Sequence, residues 1–198
     1  MKLVLASSNP GKGREIEAIA GASLELVLQS TLGIAEADEP HASFVENALA
    51  KARHASRAAR LPALADDSGL CVEALGGEPG VHSAYYAGRE GGREERDARN
   101  NEKLLPRLAA ERSAYYCCVM VLVRRADDPR PLIAEGVWRG EIARAPRGAN
   151  GFGYDPLFFL PALGKTAAEL APEEKNRISH RALALRRLLD LLNAADRP

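Results

Sequence analysis

Lys2-Leu3-Val4-Leu5-Ala6-Ser7-Ser8-Asn9-Pro10-Gly11-Lys12 is the stretch on which the fold turns. A short apolar run stops at two hydroxyls and an asparagine, and a helical pattern then runs from about Gly13 to Ala20. The run is too short for a signal-peptide core and reads as a buried strand. Strand, tight loop and helix form the opening unit of an α/β chain. A second short strand is expected over Leu24–Leu28, before the acidic loop Ala35-Glu36-Ala37-Asp38-Glu39-Pro40. Ser43-Phe44-Val45-Glu46 has the form of a capping box and predicts a helix to about Arg60, stopped by Leu61-Pro62. Ala63-Leu64-Ala65 reads as a buried strand ending at Asp66-Asp67-Ser68-Gly69. Tyr115–Val123 and Leu132–Ala143 read as a hairpin across Asp127-Asp128-Pro129-Arg130-Pro131. The last third reads as helix, with a turn near Thr166–Leu170 and a long segment from Ser179 to about Ala194. The sum predicts an α/β fold with a mixed β-sheet flanked by helices.

Composition narrows the function. The chain has 198 residues, a length that suits one domain, or one domain with two lobes, over 1–198. Its 27 Lys+Arg balance 27 Asp+Glu, which argues against nucleic acid or a membrane surface as partner, since both need a basic field. No stretch approaches ~18 consecutive apolar residues, so no membrane span is expected. Cys71, Cys117 and Cys118 lack a disulfide pattern and suit core positions in a reducing cytoplasm. Residues 89–112 interleave acids and bases and read as a solvated helix face, with Glu95 and Arg99 spaced as an i,i+4 pair.

Four clusters carry chemistry. Ser7 to Lys12 follows a strand and opens a helix, where unpaired backbone N–H groups and the dipole favour an anion. Gly11 permits close approach and Lys12 adds charge; an ordinary N-cap followed by a surface lysine has the same spelling. Asp66 and Asp67 at a strand end need a positive partner. Mg²⁺ would serve, with Asp38 or Glu39 as second ligand; a simple Asp-Ser-Gly turn is the alternative. In Gly151-Phe152-Gly153-Tyr154-Asp155-Pro156, Phe152 or Tyr154 suits base stacking and Asp155 suits a base edge, unless the segment is a Gly-rich turn with core aromatics. Lys175, His180 and Arg181 gather near an N-cap at Ser179, where the dipole disfavours cations unless a ligand uses them; a plain exposed helix start is the competing reading.

In order along the chain, these clusters resemble the noncanonical purine NTP pyrophosphatase family (inosine/xanthosine triphosphate pyrophosphatases). The resemblance rests on Val4–Lys12, Ser43–Ala48, Ala65–Leu70, Leu75–Ala84, Gly151–Pro156, Gly164–Leu170, Glu174-Lys175-Asn176 and Ile178–Arg181. It implies hydrolysis of ITP, dITP or XTP to the monophosphate and pyrophosphate, cleansing the nucleotide pool. It further implies Mg²⁺ as cofactor, a cytoplasmic homodimer, and a two-lobed α/β fold with an active-site cleft between the lobes. On this resemblance Asp67 is the proton acceptor and a metal ligand, with Glu39 and neighbouring Asp38 in the metal-holding loop. Ser7, Ser8, Asn9, Pro10, Gly11 and Lys12 form the phosphate loop, Lys51 faces the triphosphate and Ser68 touches substrate. Phe152 is the stacking ring within the Gly153-Tyr154 loop, and Asp155, Lys175, His180 and Arg181 form the base-recognition set. Two positions depart from the pattern. Ser8 stands where glycine is common, and Tyr85 where arginine is usual, with Arg89 nearby to supply the charge. A pyrophosphatase for pyrimidine or other modified triphosphates, and a nucleotide-binding protein without catalysis, are the competing functions.

Overall fold

Leu3, Val4 and Leu5 have no exposed surface and form strand β1 (Lys2–Leu5), the parallel neighbour of both β2 (Glu25–Leu28) and β3 (Ala63–Val72). The computed structural model describes residues 2–7 and 9–195. Helix α1 (Pro10–Ala20) leads from β1 to β2, and α2 (Phe44–Ala59) leads to β3. Then follow α3 (Arg93–Leu104), β4 (Ser113–Val123), β5 (Leu132–Ile142), β6 (Phe158–Leu160), β7 (Lys165–Thr166), α4 (Pro172–Ile178) and α5 (His180–Ala195). The strand order is β2-β1-β3-β4-β5-β6-β7, with β5/β6 and β6/β7 antiparallel. The sheet is therefore mixed and flanked by helices, as the alternation of patterns predicts.

The chain forms two compact units, Met1–Asp67 with Cys118–Gly136 and Ser179–Pro198, and Ser68–Cys117 with Val137–Ile178. Each has its own apolar core. In the first, Leu3, Leu5 and Leu64 meet Ile16 and Ala20 of α1 and Leu185 and Leu188 of α5. In the second, Tyr116, Trp138 and Phe158 cluster, with Phe158 centroids 4.6 Å from Tyr116 and 5.1 Å from Trp138. Cys71, Cys117 and Cys118 are buried, as core residues should be. Among the described residues no helix is long and apolar enough to cross a membrane.

Local sequence explains the elements that carry the site. Ser43 caps α2: its Oγ accepts from Glu46 N at 3.4 Å, as the expected box requires, but Glu46 Oε2 accepts from the Ser43 hydroxyl at 2.5 Å rather than from the Ser43 backbone N–H. α2 ends at Arg60, whose left-handed φ of 55° suits a C-cap. Gly136 of β5 has no Cβ to spare, because one there would collide with the His180 carbonyl and Ala184 N of α5. That close approach sets the start of α5 against the strand.

One element differs in kind. Asp66 and Asp67 do not follow a strand; they lie in the middle of β3, which continues to Val72. Sequence punctuation suggested a stop at Asp66-Asp67-Ser68-Gly69. The strand persists because β1 ends at Leu5, paired with Leu64, while β3 keeps β4 as its other neighbour.

Candidate active site

Adjacent residues of a strand point to opposite faces. Asp66 shares the parity of Leu64 and so faces the layer of α1 and α5; Asp67 shares that of Ala63 and Ala65 and faces α2. Each carboxylate is met by cations from its own side. Lys12 Nζ of α1 lies 3.0 Å from Asp66 Oδ2, and Arg181 Nη2 of α5 lies 3.5 Å from the same oxygen. Arg181 also pairs with Glu15, one turn beyond Lys12 on α1. On the other face, Lys51 Nζ lies 2.9 Å from Asp67 Oδ1 and 2.5 Å from Glu39 Oε1. Asn47, one helical turn before Lys51, donates from Nδ2 to Asp67 Oδ2 at 3.3 Å.

Their electrostatics differ accordingly. Burial raises the pKa of Asp66, but Lys12, Arg181 and Lys51 outweigh it and hold the carboxyl well below the usual carboxylate range. For Asp67 burial prevails over Lys51 and Lys12, and its pKa is raised. Burial works against the charge of Lys51 and Arg181 too, yet their carboxylate partners raise both pKa values. Asp66 is thus a fixed anion, whereas Asp67 is a carboxylate with more affinity for a proton.

The acidic loop is fastened along α2. His41 N donates to Asn47 Oδ1 at 3.0 Å, and His54 Nε2 lies 2.9 Å from the Ala35 carbonyl. This brings Glu39 to Lys51; Asp38 is exposed and outside the chain of contacts. Among the described residues no three His, Cys, Asp or Glu side chains gather as a metal-binding group. Glu39 and Asp67 do converge on one ammonium. Two carboxylates completed by water and phosphate oxygens are the ligand set that Mg²⁺ takes, so this donor pair fits it.

The phosphate-loop expectation is modified. Asn9 caps α1, its Oδ1 accepting from Gly11 N at 2.9 Å and Lys12 N at 3.1 Å. These two amides, expected to be open to an anion, are engaged by the cap. Ser7 Oγ accepts from Asn9 N at 3.2 Å, Pro10 is the exposed first helical residue, and Lys12 points to Asp66. Ser8 lies outside the described residues. Ser68 is the one partly exposed residue of β3. Arg181 and His180 are buried, 1% and 4% exposed, which corrects the alternative of a plain exposed helix start. Ser179 caps as expected, its Oγ accepting from Ala182 N at 3.3 Å.

The second unit holds the aromatic loop. Asp155 is its hub: Oδ2 accepts from Phe152 N at 2.9 Å and pairs with Lys175 Nζ at 2.6 Å, and Tyr116 hydrogen-bonds to the same carboxyl. Burial, with Asp155 beside it, pushes the Tyr116 hydroxyl well above its ordinary pKa. A Cβ on Gly151, whose φ is +75°, would strike Asp155 Oδ2. Tyr154 goes into the core, its hydroxyl donating to the Ser83 carbonyl at 2.9 Å. Of the two rings considered for stacking, only Phe152 stays partly exposed.

Helix α3 departs from the solvated face expected of it. Arg93 lies over Phe152, Asp97 Oδ2 accepts from Gly153 N at 2.9 Å, and Asn101 Nδ2 donates to the Gly153 carbonyl at 3.0 Å. Glu95 turns back to Gly92 N and Arg99 to the Glu90 carbonyl, while Arg93 and Asp97 form an i,i+4 ion pair at 3.8 Å. Tyr85, at the position that departs from the family pattern, has Arg89 at 4.3 Å and Arg96 at 5.4 Å from its ring centroid.

The family model described as the Ham1 family matches residues 3–191. This chain belongs to the Ham1 family. It is 66% identical over 191 residues to a dITP/XTP pyrophosphatase of Burkholderia pseudomallei, covering 95% of this chain and 91% of the relative. It is 63% identical over 203 residues to a dITP/XTP pyrophosphatase of Bordetella pertussis, covering 100% and 95%. A solved HAM1 protein from Coxiella burnetii matches this Ham1-family chain with a TM-score of 0.88 at 45% identity, covering 98% and 99%. The family that the motifs resemble and the mixed α/β architecture both stand.

Asn47, Glu15, Asp97 and Arg93 are contacts that the motif reading did not single out. Asn47 was accessible from spacing, since it precedes Lys51 by four residues on the capped helix. Glu15 likewise follows Lys12 by three. Asp97 and Arg93 gave no signal, because their charges matched those around them.

Proposed function

We propose that this protein hydrolyses noncanonical purine nucleoside triphosphates (dITP, ITP and XTP) to the monophosphate and pyrophosphate. The observation that carries the reading is Asp67, buried, elevated in pKa and held at both oxygens by Lys51 and Asn47. Whole-length kinship with enzymes named dITP/XTP pyrophosphatase supports the substrate class.

In this mechanism Asp67 takes a proton from a water molecule as the water oxygen bonds to the α-phosphorus. The bond from that phosphorus to the bridging oxygen breaks, and its electron pair leaves with pyrophosphate. A carboxylate whose pKa is raised is a better base for this step. Lys51 and Lys12 supply positive charge where phosphate oxygens gather it. Asp66, fixed by Lys12 and Arg181, orients Lys12 rather than reacting. Glu39 and Asp67 are the residues that would hold Mg²⁺, which when bound neutralises charge on phosphate oxygens. Phe152 offers its face to the base, while Asp155, Lys175 and Tyr116 hold its loop in shape. The buried Arg181, committed to Glu15 and Asp66, is assigned to the charged array. The homodimer and the cytoplasmic setting belong to the same proposal; three buried cysteines outside any disulfide among the described residues support a reducing compartment.

The test is product analysis. Inosine triphosphate with Mg²⁺ is expected to yield pyrophosphate and monophosphate in equal amounts, and ATP far less. Release of orthophosphate, or binding of inosine triphosphate without turnover, would refute the reading.

A further inference from the structure

We propose that Arg93 is a substrate-binding residue whose guanidinium forms the second wall of the slot in which the base stacks. The proposal rests on Phe152 being the base-stacking ring. Two cations lie over that ring. Lys175 Nζ, 4.9 Å from the centroid, is buried and held at 2.6 Å by Asp155. Arg93 Cζ, 4.4 Å from the centroid, belongs to a side chain that is 32% exposed. Of the two cations Arg93 is the one that reaches solvent, so a flat base arriving from water meets its guanidinium before it meets Lys175.

Arg93 is tethered to the loop it covers. Its Nε lies 3.8 Å from Asp97 Oδ2, and that oxygen accepts from Gly153 N at 2.9 Å, next to Phe152. At 4.4 Å the guanidinium occupies the face of the ring, so an entering base must lift the partly exposed Arg93 side chain away from Phe152, with Asp97 as the anion it stays beside, and then lies between guanidinium and ring. Both surfaces are planar and both stack on π-faces. The helix dipole opposes a cation in the first turn, and Arg93 is the first residue of α3. Its seat over an aromatic ring gives that unfavourable placement a purpose.

The experiment is steady-state pyrophosphate release from inosine triphosphate by the full chain, with inhibition by inorganic tripolyphosphate, which has no base. Arg93→Ala is expected to raise KM about fivefold, the scale of a partly exposed cation–π contact. The kcat stays within about twofold and tripolyphosphate inhibition is unchanged, as befits a contact equal in ground and transition states. Arg93→Lys, which keeps a cation over the base, recovers part of the affinity. Arg93→Gln, neutral but planar, shows the same rise as Arg93→Ala and guards against loss of fold in the smaller variant. A KM that is unchanged or lowered in both neutral variants overturns the proposal. So does weakened tripolyphosphate inhibition, which would put Arg93 on the phosphates. Phe152→Ala reads the underlying assignment separately. If it leaves KM unchanged, the ring is no base platform and both readings fall; if it raises KM while the Arg93 variants do not, only the role of Arg93 falls.

Discussion

Two neighbouring aspartates with the same intrinsic acidity do different work because a strand turns them to opposite faces. Asp67→Asn keeps the shape and one acceptor oxygen for Lys51, turns its amide toward the Asn47 donor and so gives up that contact, and removes the base. Turnover of inosine triphosphate is expected to fall by about 10³-fold or more, with nucleotide affinity, read by calorimetry, within about tenfold. Wild-type turnover in that variant would exclude Asp67 as the base. In the parent enzyme kcat/KM should decline as pH falls through the pKa of Asp67, because the base must be ionised. Burial raises that pKa and a bound Mg²⁺ would lower it, so the acid limb should move to lower pH as Mg²⁺ is increased. Asp66 has the opposite sign. Its folded pKa is depressed, so its stabilising contribution is complete above the unfolded value near about 4 and is lost as pH falls below it. Asp66→Asn leaves Lys12 and Arg181 without their shared carboxylate. It should cost about 3–5 kcal/mol of stability by urea denaturation at neutral pH, the range for breaking a buried pair. A loss under about 1 kcal/mol would show that the pair behaves as a surface contact.

At the scale of elements, the site depends on how helices present residues one turn apart. Asn47 and Lys51 lie one turn apart on α2, so the Ser43 cap, by fixing where the helix begins, also fixes which side chains reach Asp67. α1 repeats the device with Lys12 and Glu15, which together reach Asp66 and Arg181. The 151–155 loop relies on backbone shape instead. Gly151→Ala combines a positive φ with a clash against Asp155 Oδ2. It should displace Phe152 and raise KM for inosine triphosphate several-fold more than it lowers the unfolding midpoint would suggest. Inhibition by tripolyphosphate should persist. An equal loss of substrate and tripolyphosphate affinity would mean that the damage is not local to the aromatic loop.

For the molecule as a whole, each of these buried anions already has a cation from the chain: Lys51 meets Glu39 and Asp67, and Asp66 meets Lys12 and Arg181. Chelation with EDTA should abolish pyrophosphate release yet leave the thermal unfolding midpoint unchanged; a midpoint lowered by several degrees would assign the metal a structural role. The sequence by itself determined the alternation of strands and helices, the capped α2 and the family motifs, because apolar periodicity, a Ser-x-x-Glu box and fixed runs such as Ala65–Leu70 are local signals. It misread the end of β3, since polar residues looked like a stop while the strand, with β4 as its neighbour in the sheet, runs on to Val72. It also took α3 for a solvated face and left Tyr154 as a possible platform, although Asp97 and Arg93 grip the aromatic loop and the Tyr154 hydroxyl binds the Ser83 carbonyl. Those facts belong to tertiary structure alone. Whether a charge meets water or a partner, and which oxygen an amide finds, depends on segments far apart in the chain, and no local pattern of residues encodes that meeting.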